Sequence, residues 1–272
     1  MQNAIGVFDS GLGGLSVLNS AATLLPNEQF IYVADSLHAP FGNKSDEFIL
    51  KRCQVICEFL IKQNVKCILL ACNTATLACV VTLRAQFDVP IVAIEPGLKP
   101  AVIKSQTKKI LMLATQSTLQ SNNYQSLRNT HASDCEIFEQ ACNGWVELVE
   151  SGHSLLETNN LNLKVIKQYL SDIPKNGIDQ IVLGCTHYPF LKPLIIKCIK
   201  QSQYENNISI VDTSNAVANH LKTILLTHKL LKPNVKHSIK QLTLYSSALK
   251  VDENLLNSLC QLSVDFKGQF ES

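Results

Sequence analysis

The sequence predicts an α/β fold in which mainly parallel sheets are covered by helices, and three observations carry that prediction. Apolar runs of strand length recur along the whole chain. Between them lie segments whose apolar residues stand three and four apart, the rhythm of strand, crossover helix and parallel strand. Finally, the run Ile68-Leu69-Leu70-Ala71-Cys72-Asn73-Thr74 is echoed by Ile181-Val182-Leu183-Gly184-Cys185-Thr186-His187, so the chain reads as two related halves, each ending an apolar strand on a cysteine.

Taken in order, the predicted strands are Ile5 to Phe8, Phe30 to Ala34, Cys67 to Ala71, Ile91 to Ile94, Ile110 to Ala114, Ile181 to Leu183 and Ile208 to Val211. Leu50 to Ile61 and Leu161 to Leu170 have the amphipathic spacing of crossover helices. Glu95-Pro96-Gly97 reads as a hinge, because proline and glycine punctuate the chain directly after a strand. A weaker echo links the strand ending at Phe8, before Asp9-Ser10, with the one ending at Ala114, before Thr115. The end of the chain, helical over Asn215 to Leu231 and strand-like over Ile239 to Tyr245, is expected to pack back on the first lobe. The expected division is residues 1–97 plus 213–272 for one lobe and 98–212 for the other.

Composition narrows the function. Lys and Arg number 24 against 22 Asp and Glu, spread along the chain, so no footprint for nucleic acid or a membrane surface is visible. No stretch reaches the ~20 apolar residues of a membrane span, and the start of the chain has no basic region ahead of an apolar core, which points to a cytoplasmic protein. The ten cysteines include no Cys-X-X-Cys and are expected to be reduced. Cys53, Cys57 and Cys67 fall on helix or strand patterns as small core hydrophobes, and eight of the ten are read that way.

Cys72 and Cys185 are the exceptions. In open α/β sheets ligands bind beyond the carboxyl ends of the strands, where helix N-termini favour anions and lower a thiol's pKa. Both cysteines fall there, each followed by polar donors, Asn73-Thr74 and Thr186-His187. Two thiols serving one site suit a single reaction well: one thiolate removes a proton from a carbon while the other thiol delivers one to the opposite face, which inverts a stereocentre. A hydrolase would need one nucleophile with a base and an oxyanion hole, and zinc about four clustered ligands; neither pattern is present in the sequence.

The segments Val7-Phe8-Asp9-Ser10-Gly11-Leu12-Gly13-Gly14, Ala71-Cys72-Asn73-Thr74-Ala75 and Leu183-Gly184-Cys185-Thr186-His187-Tyr188-Pro189 together resemble the three signatures of the glutamate racemase family. Ala34-Asp35-Ser36, Pro40-Phe41-Gly42, Glu95-Pro96-Gly97 and Asp212-Thr213-Ser214 extend the likeness over nearly the whole chain. The resemblance implies two flavodoxin-like lobes related by a pseudo-twofold, with the active site in the cleft between them. It implies interconversion of L- and D-glutamate without pyridoxal phosphate, other cofactor or metal, supplying D-glutamate for peptidoglycan. Its acid and base fall on Cys72 and Cys185, with Asp9 beside the first and Glu150 and His187 beside the second. Asp9, Ser10, Phe41, Gly42, Asn73, Thr74, Thr118, Thr186 and His187 match substrate-binding positions. The expected partner is therefore a small molecule, glutamate, with a homodimer left open. The first strand begins close to Met1, so activation by a cell-wall precursor, a property of extended family members, is not expected.

Two departures from the family pattern stand out. Phe41 replaces the usual tyrosine, which removes a hydroxyl but not the backbone donors, and the run Ala141 to Glu150 is unusual enough to leave Glu147 as a rival to Glu150. The three arginines, at 52, 84 and 128, lie in no motif, so neutral donors are expected to hold the substrate's carboxylates. Three competing readings remain: a racemase of aspartate or another small carboxylic acid, a nucleotide-binding oxidoreductase using the Gly11 to Gly14 loop, and a redox-responsive binding protein switched by a Cys72–Cys185 disulfide. Against the nucleotide, Ser16 replaces a third glycine and Asp9 would put a carboxylate near the pyrophosphate.

Overall fold

The computed structural model describes residues 4–152, 160–171, 173, 177–201, 208–233 and 241–270. In chain order the elements begin with β1 (Ala4–Asp9), α1 (Leu15–Leu24), β2 (Phe30–Ala34), α2 (Asp46–Lys62), β3 (Val65–Leu70), α3 (Asn73–Gln86) and β4 (Ile91–Ala93). Then come α4 (Leu98–Lys104), β5 (Lys109–Ala114), α5 (Gln116–Gln120), α6 (Asn122–His131), β6 (Glu136–Ala141), α7 (Trp145–Glu150), α8 (Asn160–Leu170), β7 (Gln180–Leu183), α9 (Tyr188–Gln201) and β8 (Ser209–Val211). The chain closes with α10 (Ser214–Thr227), β9 (Gln241–Ser246), α11 (Glu253–Leu259) and β10 (Ser263–Gln269).

Two compact units result, Met1–Ile94 with Ser214–Ser272, and Glu95–Thr213. The first holds a sheet of order β10-β9-β2-β1-β3-β4 and the second a sheet of order β6-β5-β7-β8. Every pairing is parallel. Strip β9 and β10 from the first and the two sheets have one topology: the first strand of each unit sits centrally, flanked by the second and the third, with the fourth outside. The sequence echo at Cys72 and Cys185 is thus an echo of position, since β3 and β7 are the third strands of their units.

Two strands escaped the sequence reading, β6 and β10, and both lie at sheet edges. An edge strand has water on one side, so Glu136–Ala141 and Ser263–Gln269 mix charged and apolar residues and give no continuous apolar run. Helix α10 ends at Thr227, short of the expected Leu231. Lys229 turns to φ 57°, and the N–H groups of Leu230 and Leu231 fold back onto the Leu225 carbonyl at 2.7 and 3.2 Å, closing the helix in the left-handed manner usual at such ends. The strand expected over Ile239 to Tyr245 begins at Gln241 among the described residues, with 239 and 240 outside them, and pairs with β2.

Helix α2 shows how packing fixes the first unit. Ser45 caps its start, its Oγ accepting from Phe48 N–H at 3.3 Å, and Asp46 and Glu47 complement the helix dipole. Ile49, Cys53, Ile56, Cys57 and Leu60 recur at helical spacing and bury one stripe in a core with Ile68 and Leu70 of β3 and Phe270. Cys53, Cys57 and Cys67 serve as core hydrophobes: burial pushes the Cys57 and Cys67 thiols up to about 12, where they are inert. In the second unit Gly97 lies against β7 and β8; a Cβ there would stand 2.7 Å from Thr213 Cγ2.

Candidate active site

In a parallel sheet whose strand order reverses, the crevice between the two strands at the reversal is where the loops leave in opposite directions and a ligand can enter. That point lies between β1 and β3 in the first unit and between β5 and β7 in the second. At the carboxyl ends of these strands stand Asp9 and Cys72 in one unit, Thr115 and Cys185 in the other.

The first site is built around a loop that folds back on its own aspartate. Asp9 is fully buried, and its Oδ2 accepts the Gly14 N–H at 2.7 Å at the start of α1. The carboxylate thereby fills the anion position a nucleotide pyrophosphate would need, which argues against the dinucleotide reading of Gly11 to Gly14. Tyr32 Oη donates to Gly11 O at 2.8 Å from β2, and a Cβ on Gly14 would lie 2.7 Å from that hydroxyl and 2.8 Å from Asp9 Cβ. Glycine at position 14 is therefore required by space.

Cys72 is the N-cap of α3, with extended backbone and its sulfur accepting the Ala75 N–H at 3.5 Å. Its S–H lies 3.8 Å from Ser10 Oγ, which in turn lies 3.5 Å from Asp9 Oδ1, a chain of hydrogen bonds from thiol to carboxylate. Asn73 and Thr74 follow in the first turn, both buried. The Asn73 carboxamide has no hydrogen-bond partner for either its oxygen or its nitrogen among the described residues. A buried amide left so is costly, by roughly 1–3 kcal/mol per group, which is a reason to look for a polar ligand beside it.

Phe41 and Gly42 sit in a short helical turn, Phe41–Asn43, between β2 and α2. The Phe41 ring is buried in the same core cluster as Cys72 and Ala75, so phenylalanine at this position packs where a hydroxyl would have to find a partner.

At the second site the cysteine's neighbour is a histidine. Cys185 opens the turn into α9, its carbonyl accepting the Tyr188 N–H at 3.1 Å, and its sulfur lies 3.7 Å from His187 Nδ1. His187 Nε2 lies 2.7 Å from Glu150 Oε1 at the end of α7. Glu147, one turn earlier, is exposed, so the carboxylate that His187 meets is that of Glu150. Burial alone opposes a charge on His187, but hydrogen bonds and charge from Cys185 and Glu150 outweigh it and hold the imidazole's pKa well above the usual histidine value. Thr186 is buried beside them. Thr118 is buried too, its hydroxyl 3.0 Å from that of Thr115, which caps α5 by accepting the Thr118 N–H at 3.2 Å.

The structure thus brings Asp9, Ser10 and Cys72 together, and separately Glu150, His187 and Cys185. The sequence reading missed Tyr32 and Thr115, for different reasons. Tyr32 has its hydroxyl at the end of a long side chain on an ordinary strand, and no sequence signal marks its reach to Gly11. Thr115 could have been found from the echo with Asp9, since Asp9 is the last residue of the first strand of its unit and Thr115 directly follows the first strand of the other. Cys142 lies near Cys185 and is buried among apolar groups, which pushes its thiol well up.

Comparison with known proteins bears on this geometry. The sequence model of the family described as Asp/Glu/Hydantoin racemase matches residues 13–221. The chain is 43% identical over 231 residues to a glutamate racemase of Ectopseudomonas mendocina, covering 85% of each chain. Among solved structures, the glutamate racemase of Escherichia coli in complex with L-glutamate and the activator UDP-MurNAc-Ala is similar with a TM-score of 0.83 at 28% identity, covering 100% of both chains. The glutamate racemase of Francisella tularensis in complex with D-glutamate gives a TM-score of 0.81 at 26% identity, covering 99% of this chain and 98% of that one.

Proposed function

Because the chain belongs to the Asp/Glu/hydantoin racemase family, a family of isomerases, we propose that it interconverts L- and D-glutamate with Cys72 and Cys185 as paired acid and base. The observation that carries this reading is that each unit has a thiol two residues beyond its third strand, in contact with a side chain able to pass a proton, Ser10 at one and His187 at the other. One thiolate takes the Cα hydrogen and the carbon's electron pair is delocalised into the adjacent carboxylate. The other thiol then gives its proton to the opposite face, leaving the first cysteine as thiol and the second as thiolate. The reverse reaction exchanges their roles.

Each thiol has its own support. Ser10 and Asp9 relay and orient at Cys72, while His187, held by Glu150, offers Cys185 both a proton donor and a counter-charge. Ser10, Asn73, Thr74, Thr118, Thr186 and the backbone of Phe41 and Gly42 hold the substrate's charged groups. The unpartnered Asn73 carboxamide favours a ligand rich in donors and acceptors. No cofactor or metal enters a step, since the protons travel on the thiols. The ten cysteines stand outside any disulfide, which suits a reducing cytoplasm, where the D-glutamate would feed peptidoglycan synthesis. No described helix is long and apolar enough to cross a membrane.

The test is direct: the purified protein, with no cofactor added, is incubated with each enantiomer of glutamate, aspartate and other small amino acids, and the products are resolved by chiral chromatography. Racemisation of glutamate is expected. Racemisation confined to aspartate or another acid would overturn the substrate, and none at all would overturn the reaction.

A further inference from the structure

Arg52 belongs to no motif, yet its side chain is held at three places. Its Nε and Nη2 donate to the two oxygens of Asp35 at 2.9 and 3.0 Å, and the guanidinium carbon lies 5.8 Å from the centre of the Phe270 ring. Asp35 is fully buried and also meets His38 Nδ1 at 2.8 Å. A buried ion pair gives little net stability, because desolvating two charges offsets their attraction; what a two-pronged pair does give is a fixed geometry.

The geometry fixed here is that of one loop. Asp35 directly follows β2, His38 closes the turn Ser36–His38 that comes next, and Arg52 lies on α2 beyond the loop. Between them sits the Phe41–Asn43 turn, whose own bonds run from Asn43 N–H to Pro40 O at 3.4 Å and from Lys44 N–H to Phe41 O at 3.0 Å. Neither uses the N–H of Phe41 or Gly42. Among the described residues, the loop is tied by Leu37 N–H to Ser247 Oγ, just past β9, at 2.9 Å and to the sheet through Asp35, whose N–H donates to the carbonyl of Asp9 at 3.1 Å. The clamp therefore joins the loop to the strand end that carries the Cys72 relay.

We infer that Asp35, gripped by Arg52 and His38, is a positioning device that sets the backbone donors of Phe41 and Gly42 and so governs how tightly substrate is held, without touching proton transfer. This rests on the racemase reading and on the binding role given to that loop.

The test uses Arg52→Lys, which keeps the cation and loses the fork, together with Arg52→Ala. KM for both glutamate enantiomers should rise about tenfold in Arg52→Lys, the loss of one well-made hydrogen bond, while kcat and the Cα isotope effect stay put. Millimolar guanidinium should lower the KM of Arg52→Ala again. Hydrogen exchange should quicken across residues 36–44 in both variants and remain parental in β3. Racemisation by the parental protein with unchanged KM and unchanged exchange in the variants would overturn the clamp alone, as would a fall in kcat at constant KM. A parental protein that does not racemise glutamate would overturn the functional reading, and with it the substrate role of the loop, whatever the exchange showed.

Discussion

The two units place a cysteine at the same point of the same topology and then surround it differently. At Cys72 the neighbour is a serine hydroxyl that leads to a fully buried aspartate; at Cys185 it is a histidine, 3.7 Å away, backed by a glutamate at 2.7 Å. A hydroxyl can relay a proton but holds no net charge, whereas an imidazole can carry the proton itself. Shared topology gives each unit a thiol at one position, and the side chains around that thiol differ. On this account the two halves of the reaction are chemically unequal although the fold is repeated.

The largest effect expected is from removing either thiol. Cys72→Ala and Cys185→Ala should each lower racemisation by roughly 10²–10⁴-fold, the span of a general acid–base group, while calorimetry still detects glutamate binding. A variant that racemises at near the parental rate would remove one unit from the chemistry and end the comparison.

Next come the supports. Asp9→Asn should slow the direction that begins at Cys72 more than Glu150→Gln or His187→Asn does, and the latter two should weigh on the direction that begins at Cys185. The overall equilibrium constant cannot change, so the asymmetry must show in Cα deuterium isotope effects measured both ways. Identical changes in all three variants would leave no basis for two separate sides.

Gly14→Ala sharpens the first side. Its Cβ would meet the Tyr32 hydroxyl and Asp9 Cβ, and neither is the free end of a flexible chain, so we expect about 1–3 kcal/mol of destabilisation in thermal unfolding with Asp9 displaced. Unchanged stability and activity would mean that the loop yields and does not hold Asp9. At Gly184 the added Cβ would meet Met112 Cε, which can move, but also the Leu113 carbonyl oxygen at 3.0 Å, which cannot.

The smallest effect belongs to the second side alone. His187 has its folded pKa raised above the unfolded value near 6.5, so its stabilising contribution is fully present below that value. It is lost as pH rises through the folded pKa, because over that window the folded protein keeps a proton the unfolded chain has released. Stability should therefore fall with rising pH by up to ~1.4 kcal/mol per unit, and His187→Asn should flatten that slope. A slope unaltered by the substitution would show that the histidine is not held charged.

Much of this was legible in the sequence because parallel strands announce themselves. β1, β2, β3, β5 and β7 are buried on both faces and read as apolar runs, and Cys72 and Cys185 were found simply as the residues at which two such runs stop. β6 stayed hidden for the opposite reason: Ile137 is the single apolar residue of its six that is buried. Within the sites, neighbours in sequence were easy to pair, as His187 with Cys185. The clamp on Asp35 was not, because Arg52 reaches it across a loop from a helix whose pattern reports only its buried stripe.

In the proposed reaction two thiols, one from each unit, carry the proton off and on. Racemisation in heavy water tests it most directly, with the reaction stopped early and Cα analysed by mass spectrometry in both enantiomers. Deuterium is expected at Cα of the new enantiomer and hydrogen in the remaining substrate, because the thiol that delivers has already exchanged with solvent while the thiolate that removes works from the other face. Early product that keeps the substrate's hydrogen, or deuterium washed into unreacted substrate at the same rate, would mean that a single base serves both faces and would contradict it.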